Sequence, residues 1–392
     1  MKIAILTSSF PLDPDDPSAA AGLFVRDFAI ALAKLDTQVH VLTQDKGFGC
    51  KNPPAEITVN CYPWGGGGKA LSQLNLLNPF DLRNAYQLIG NAKKALVQLH
   101  QQHHFDHVLS MWAVPAGLIA AKLSKTHDVP FSVWCLGSDI WTYGKLPFLK
   151  NIVASVIRKA SFRFADGIQL GLDAEKLSGC ACQFLPSSRK IAVNDHQPMD
   201  LQGPKPRFLF IGRYAKVKGI DVLINAFKRV LNQNENASLY LLGGGPMRES
   251  IVQQVAENEL SNNVSIGDYA NAETVIQYGK ACDAIVIPSR MESIPVVLSD
   301  AMQLGKPVIV SDVGDMGKIV RESGAGIVAP PDNIEALASA LTQFQQQGPN
   351  RYLPGVQRLA QRFNVNQTAR EFLNQIQDNR TAPIVDELEL KS

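Results

Sequence analysis

Residues 283–312, DAIVIPSRMESIPVVLSDAMQLGKPVIVSD, constrain the fold more than any other stretch of the chain. The apolar run Ala284 to Ile287 has the continuous hydrophobicity of a parallel strand buried on both faces. Pro288 and Ser289 close that strand, and a polar loop with Arg290 and Glu292 follows. A short helix runs from about Pro295, a residue tolerated in a first turn, to Leu304. Gly305 stands where a helix ends, Pro307 bars its continuation, and PVIVSD begins the next strand. In open α/β sheets, ligands bind in the crevice beyond the carboxyl ends of the strands. Glu292 is thereby expected at the mouth of a site, with Asp300 in the helix that follows.

The same alternation fills the chain on either side. KIAILT reads as a first strand, an acidic proline-rich loop runs to Gly22, and a helix follows with Phe24, Phe28, Ala31 and Leu35 on one face. QVHVLT closes this βαβ unit, whose crossover should be right-handed. ITVNCY, HVLSMW, PFSVWCL and DGIQLG read as further strands. From Pro186 to Pro206 the sequence turns polar and proline-containing, and the alternation then restarts with RFLFIG, GIDVLINAFKRVL, ASLYLLG, GPMRESIVQQVAEN and NVSIG. A chain of 392 residues exceeds one ordinary core. The expected fold is therefore α/β, with two Rossmann-like doubly wound domains facing each other across a cleft. The first would span 1–190, a linker 191–205 and the second 206–365. A C-terminal helix over 366–380 could pack back on the first domain, before a tail at 381–392.

Charge and composition narrow the function. The 38 basic and 36 acidic side chains leave a net +2, too little to imply a nucleic-acid partner. The six cysteines are scattered, and the lone Cys180-x-Cys182 suits buried reduced thiols better than zinc or a disulfide framework. The seven histidines form no ligand pattern, so no metal is expected. No apolar run reaches the length of a membrane span, and MKIAILTSSF reads as a strand rather than a signal peptide. A cytoplasmic protein is expected. The stretch KLPFLKNIVASVIRKASFRFAD mixes apolar and basic residues. It is either a helix with one face packed on its own domain or a surface for peripheral contact with an anionic membrane. WGGGGKA, Trp64 to Ala70, is either a mobile loop over the cleft or a plain exposed connection. Trp134 is expected in the core.

Two constellations accompany Glu292. Arg213 directly follows the strand RFLFIG, and Lys218 lies five residues on, just before Gly219 and the next helix. Both cations would project from the edge that carries Glu292, a fork and a point charge suited to phosphate oxygens. LLGGGPMRES supplies Gly243 and Gly245 of a G-x-G-x-x-G pattern, but Arg248 holds the third position and no Walker lysine is present. That turn is either an anion site at a helix N-terminus or simply a tight strand-to-helix connection.

Taken in order, GRYAKVKGIDVLINAF, LLGGGP and PSRMESIPVVLSDAMQLGKPVIVSDVGD resemble the C-terminal domain of glycosyltransferase family 4, the large retaining GT-B family. The first 45 residues are similar to that family's opening. The resemblance implies a nucleotide-sugar donor held mainly by the second domain, as co-substrate rather than cofactor. It implies that Arg213 and Lys218 contact the diphosphate. It puts Glu292 on the donor sugar, and Asp300 on the ribose in place of the family's longer glutamate. Gly22 would let a helix N-terminus approach the phosphates. Ser293 and Ile294 stand in the family's glycine-rich loop, where Pro295 has no N–H to donate. Met111 and Leu136 occupy two places that often hold histidines, leaving Asp139 as the first domain's polar candidate. The activity implied is retaining, metal-independent transfer from a UDP- or GDP-sugar, UDP favoured, to a glycan or lipid-linked glycan in polysaccharide biosynthesis. Two alternatives stay open: a nucleotide-sugar-binding protein without transferase activity, and a GT-B sugar-nucleotide epimerase using Asp139.

Overall fold

A computed structural model describes residues 1–12, 22–47, 49, 53–66, 78–191, 193, 196–233 and 236–381, with backbone alone at 379–381. Most of the loop before Gly22, the end of WGGGGKA and the tail fall outside the described residues.

The first domain is built on a fully parallel seven-stranded sheet. In chain order it runs β1 (Lys2–Leu6), α1 (Leu23–Ala33), β2 (Gln38–Asp45), β3 (Thr58–Pro63), α2 (Pro79–His103), β4 (His107–Met111) and α3 (Leu118–His127). It continues with β5 (Phe131–Cys135), α4 (Ser138–Trp141), α5 (Pro147–Lys159), β6 (Phe162–Ala165), α6 (Ile168–Ser178) and β7 (Gln183–Phe184). The strand order is β3-β2-β1-β4-β5-β6-β7.

The second domain comprises β8 (Arg207–Ile211), α7 (Ile220–Asn232), β9 (Ser238–Leu242), α8 (Arg248–Glu257), β10 (Val264–Ile266), α9 (Ala272–Ala281) and β11 (Ala284–Ile287). Then come α10 (Val296–Gln303), β12 (Val308–Ser311), α11 (Met316–Ser323), β13 (Gly326–Ala329), α12 (Ile334–Gln347) and α13 (Leu353–Ala360). Its sheet is parallel too, in the order β10-β9-β8-β11-β12-β13. Order reverses between β1 and β4 in one domain and between β8 and β11 in the other, and such switch points open the crevices in which ligands bind.

Each sheet is buried on both faces. In the first domain one apolar layer centres on Phe131, Val133 and Ala165, the other on Ile3, Ile5, Phe28 and Trp134. The indole N–H of Trp134 donates to the Leu185 carbonyl at 3.1 Å, so this tryptophan is core and its polar atom is satisfied. The last helix, α14 (Val365–Thr381), leaves the second domain and lies on α1. Its Phe372 ring sits 5.6 Å from Phe28 and 5.4 Å from Phe164.

DGIQLG is not a strand. β6 is the preceding FRFA, and Ile168–Ser178 is helix α6. Its buried positions Leu170, Gly171, Ala174 and Ser178 repeat at helical spacing. Arg163 hid the true strand by interrupting its apolar run, and its guanidinium reaches out to the Ile157 and Arg158 carbonyls.

Candidate functional site

The second domain's switch point gathers the predicted pair. After β8 the chain passes Gly212 and Arg213, makes a 3₁₀ turn at Lys216–Lys218, and enters α7 through Gly219. Gly219 has φ +66°, and a Cβ there would fall 1.9 Å from the Pro288 carbonyl oxygen. Only glycine lets this loop close on the end of β11. The Arg290 amide then donates to the Val217 carbonyl at 2.8 Å, tying the two loops together. The result brings Lys218 Nζ against Glu292 Oε2, with both side chains about one quarter exposed. Ser289 Oγ donates to the same carboxylate oxygen at 3.4 Å. Arg213 is exposed on the same loop and has no ion pair among the described residues.

Arg290, which sequence reasoning left without a role, braces the site from behind. It holds both oxygens of Asp221 at 2.7 and 2.8 Å and reaches Asp332 at 2.9 Å. Burial would raise the Asp221 pKa, but these bonds and the Arg290 charge hold it below the usual carboxylate value.

The glycine turn after β9 packs on the protein itself. A Cβ at Gly243 would meet the Gly212 carbonyl oxygen at 1.9 Å, and one at Gly245, φ +142°, would meet the Tyr214 carbonyl oxygen at 2.8 Å. The Tyr214 amide donates to the Gly244 carbonyl at 2.7 Å. Of the two readings of this turn, the tight connection accounts for the glycines, which shape the loop that presents Arg213. Gly22 is similar: it precedes α1, and a Cβ there would lie 2.8 Å from the backbone of Ser9 and Phe10.

Four expected site residues lie elsewhere. Asp300 is 2 % exposed, and Arg189 grips both its oxygens, Nε to Oδ1 at 2.7 Å and Nη2 to Oδ2 at 2.5 Å. A carboxylate so engaged is not free to accept from a ribose. Gln303 completes the hinge, its amide donating to the Arg189 carbonyl at 2.7 Å, and the Lys190 amide donates to Asp27 Oδ2 at 2.9 Å. Asp139 is wholly buried. Its two oxygens accept from the Ala113 amide at 2.9 Å and the Leu136 amide at 3.2 Å. Burial raises its pKa against the pull of those amides. It holds the turns after β4 and β5 together, including Trp112 at φ +69°, and offers no catalytic group to the cleft. Ser293 and Ile294 are 5 % and 4 % exposed, and Ser293 Oγ would lie 2.1 Å from a Cβ on Gly167, so Ser293 meets the first domain. Met111 is also in the core.

That inter-domain contact exposes a residue the sequence reading missed. Asp166 follows β6 and is 6 % exposed; Ser187 donates to its Oδ2 at 3.3 Å. Burial, opposed by Ser293 and Ser187 and reinforced by the charges of Asp139 and Glu292, pushes its pKa up to about 8. Beside it the Gln169 amide donates to Asp315 Oδ2 of the second domain at 2.9 Å. Placing the strand at DGIQLG obscured Asp166, because a residue inside a strand does not mark its carboxyl end. Next to this contact a cavity of about 610 Å³ opens between the domains. Its walls are α4 to α6 on one side and the loops after β11 and β12 on the other.

Two parallel sheets with facing switch points define a two-domain Rossmann-like architecture of the GT-B type, which solved glycosyltransferases share. Sucrose-phosphate synthase from Thermosynechococcus elongatus superposes with a TM-score of 0.78 at 19 % identity, over 97 % of this chain and 99 % of that one. Anabaena HepE, solved in complex with UDP and glucose, gives 0.72 at 17 % identity over 96 % and 100 %. Within the chain, residues 194–354 match the family described as Glycosyl transferases group 1, so this segment is a domain of that kind. The amylovoran biosynthesis glycosyltransferase AmsK of Erwinia amylovora is 28 % identical over 230 residues, 56 % of this chain and 53 % of that protein. An uncharacterised glycosyltransferase of Methanocaldococcus jannaschii is 32 % identical over 146 residues, 37 % of each chain. The aligned regions thus span between about a third and a half of these two relatives.

Proposed function

We propose that the protein is a retaining, metal-independent hexosyltransferase of glycosyltransferase family 4. It moves a sugar from a nucleotide diphosphate donor, UDP in preference to GDP, to a glycan or lipid-linked glycan. The observation that carries this reading is the meeting of Lys218 and Glu292 at the switch point of the domain that matches the group 1 family. An incoming diphosphate would take Lys218 from Glu292, freeing the carboxylate to accept from donor-sugar hydroxyls, while Arg213 closes on the phosphates. In the transfer, the bond from the sugar's anomeric carbon to the phosphate oxygen breaks and its electron pair leaves with the diphosphate. A bond to the acceptor oxygen forms on the same face, and the acceptor's proton passes to the departing phosphate. Arg213 and Lys218 stabilise the charge that develops there.

The likeness to a UDP-bound neighbour and to a polysaccharide biosynthesis enzyme supports the donor and acceptor classes. Among the described residues no helix is long and apolar enough to cross a membrane. Work at a cytoplasmic membrane face would rest on α5 and the turn before it, where Phe148 is 88 % and Leu146 45 % exposed near the exposed Lys145 and Lys150. Met111 in the core and Leu136 packed against it, apolar residues where the family often holds histidines, favour one second reading, binding of a nucleotide-sugar without transfer. An epimerase would need Asp139 as its acid or base, and that carboxylate is fully engaged by backbone amides.

A thermal-shift panel of UDP, GDP and their sugar conjugates, followed by transfer assays, tests the reading. Stabilisation by UDP with turnover supports it; stabilisation without turnover over a wide acceptor panel supports the binding protein. A ligand at a hundred times its dissociation constant adds about 2.7 kcal/mol, readily seen.

A further inference from the structure

The cavity between the domains has an uneven charge balance. Its first-domain wall carries Lys145 and Lys150 near the start of α5 and Asp173 and Lys176 on α6; its second-domain wall carries Arg290 and Glu292. Four of these six are answered by neighbours. Arg290 is held by Asp221 and Asp332, and Glu292 by Lys218. Asp173 accepts from the Trp141 indole at 3.0 Å, the Gln169 amide at 3.1 Å and Lys176 at 3.4 Å. Burial would raise the Asp173 pKa, but these donors hold it below the usual value, so it stays ionised and paired. Lys145 and Lys150 remain. Both are exposed, and neither has an ion pair among the described residues.

The rest of the wall suits a sugar. Ile140, Trp141 and Leu177 supply apolar surface, and the indole is fixed in place by its bond to Asp173. A volume of about 610 Å³ lies within the range that encloses small ligands. Glu292 borders the cavity, so a saccharide seated in it would lie next to the donor sugar.

We propose that this cavity is the acceptor subsite and that Lys145 and Lys150 select an anionic saccharide, one carrying a carboxylate or a phosphate. The word acceptor rests on the transferase reading; the anion selectivity rests on the two unanswered lysines. Two point charges on flexible stems suit either anion, where a planar fork would favour one geometry. Neutral saccharides find the same apolar wall and lose the charge-assisted contacts.

Ligand-observed NMR on the full chain tests this without needing turnover. The probes are a glucuronic-acid-containing disaccharide, glucose 6-phosphate and neutral cellobiose. UDP binding is followed separately by thermal shift. The anionic probes should bind at least about tenfold tighter than cellobiose, an advantage that shrinks as salt is raised. The Lys145→Ala/Lys150→Ala variant should lose that advantage and keep the wild-type UDP shift, whereas Lys159→Ala, on the far end of α5, should change neither. Binding of the uronate alone identifies a carboxylate, and of the phosphate alone a phosphate. Cellobiose binding as tightly as the anions, or full anion binding by the double variant, overturns the proposal. A wild-type protein that binds the anions but shows no shift with any nucleotide keeps the anion site and sinks the transferase reading instead.

Discussion

At the scale of single residues, the site is a matter of which charges are already taken. Lys218 and Glu292 answer each other, and Arg213 has no ion pair among the described residues. Replacing Lys218 or Arg213 with alanine should lower kcat by roughly 10²- to 10³-fold, the usual cost of removing one donor to a developing oxyanion. Near-normal turnover in both variants would end the assignment. Asp166 makes a different prediction, about pH. Its pKa is raised in the folded state to about 8, against roughly 3.9 in an unfolded chain. The folded protein therefore binds more protons in between, and stability falls as pH rises through that window and levels off above it. Asp166→Asn should flatten this slope and gain most near pH 8. Urea denaturation at pH 5 and pH 8 measures it, and an unchanged slope would mean that Asp166 is not the buried proton.

At the scale of elements, one glycine and a hinge decide the geometry. Gly219→Ala forces Pro288 away and parts the loops that bring Lys218 to Glu292. It should cost about 1–3 kcal/mol in denaturation and weaken nucleotide binding with it. At the hinge, Arg189→Met strands Asp300 as a lone buried charge and should cost about 3–5 kcal/mol. Adding Asp300→Leu should restore most of that. If the double variant is as unstable as the single, the pair does more than balance charge.

The elements also show where the sequence was readable. Parallel strands announce themselves as short apolar runs, and Lys218 and Glu292 could be found because each follows one. β6 could not, since Arg163 breaks its pattern. Asp300 looked like a ligand because local spacing cannot reveal a partner 111 residues away, and Asp139 because one of its amide donors, Ala113, comes from the turn after β4. Spacing placed the carboxylates correctly in the chain; only packing told which of them were free.

At the scale of the whole molecule, two parallel sheets face each other across a hinge, and they already touch through Gly167, Ser293, Gln169 and Asp315. Helix α14 adds a second tie. It buries Phe372, Ala369 and Ile376 on the first domain although it follows the second in the chain. Phe372→Ala should cost about 3–5 kcal/mol and act on the first domain. A chain stopped after α13 should keep a folded second domain while the first loosens, which limited proteolysis would show as cutting confined to residues before the hinge. The same arrangement sets an order of events during synthesis. The half that leaves the ribosome first cannot cover its own α1 until nearly two hundred further residues have been translated. Until then the side of Phe28 that Phe372 covers stays open to chaperones or to unwanted partners.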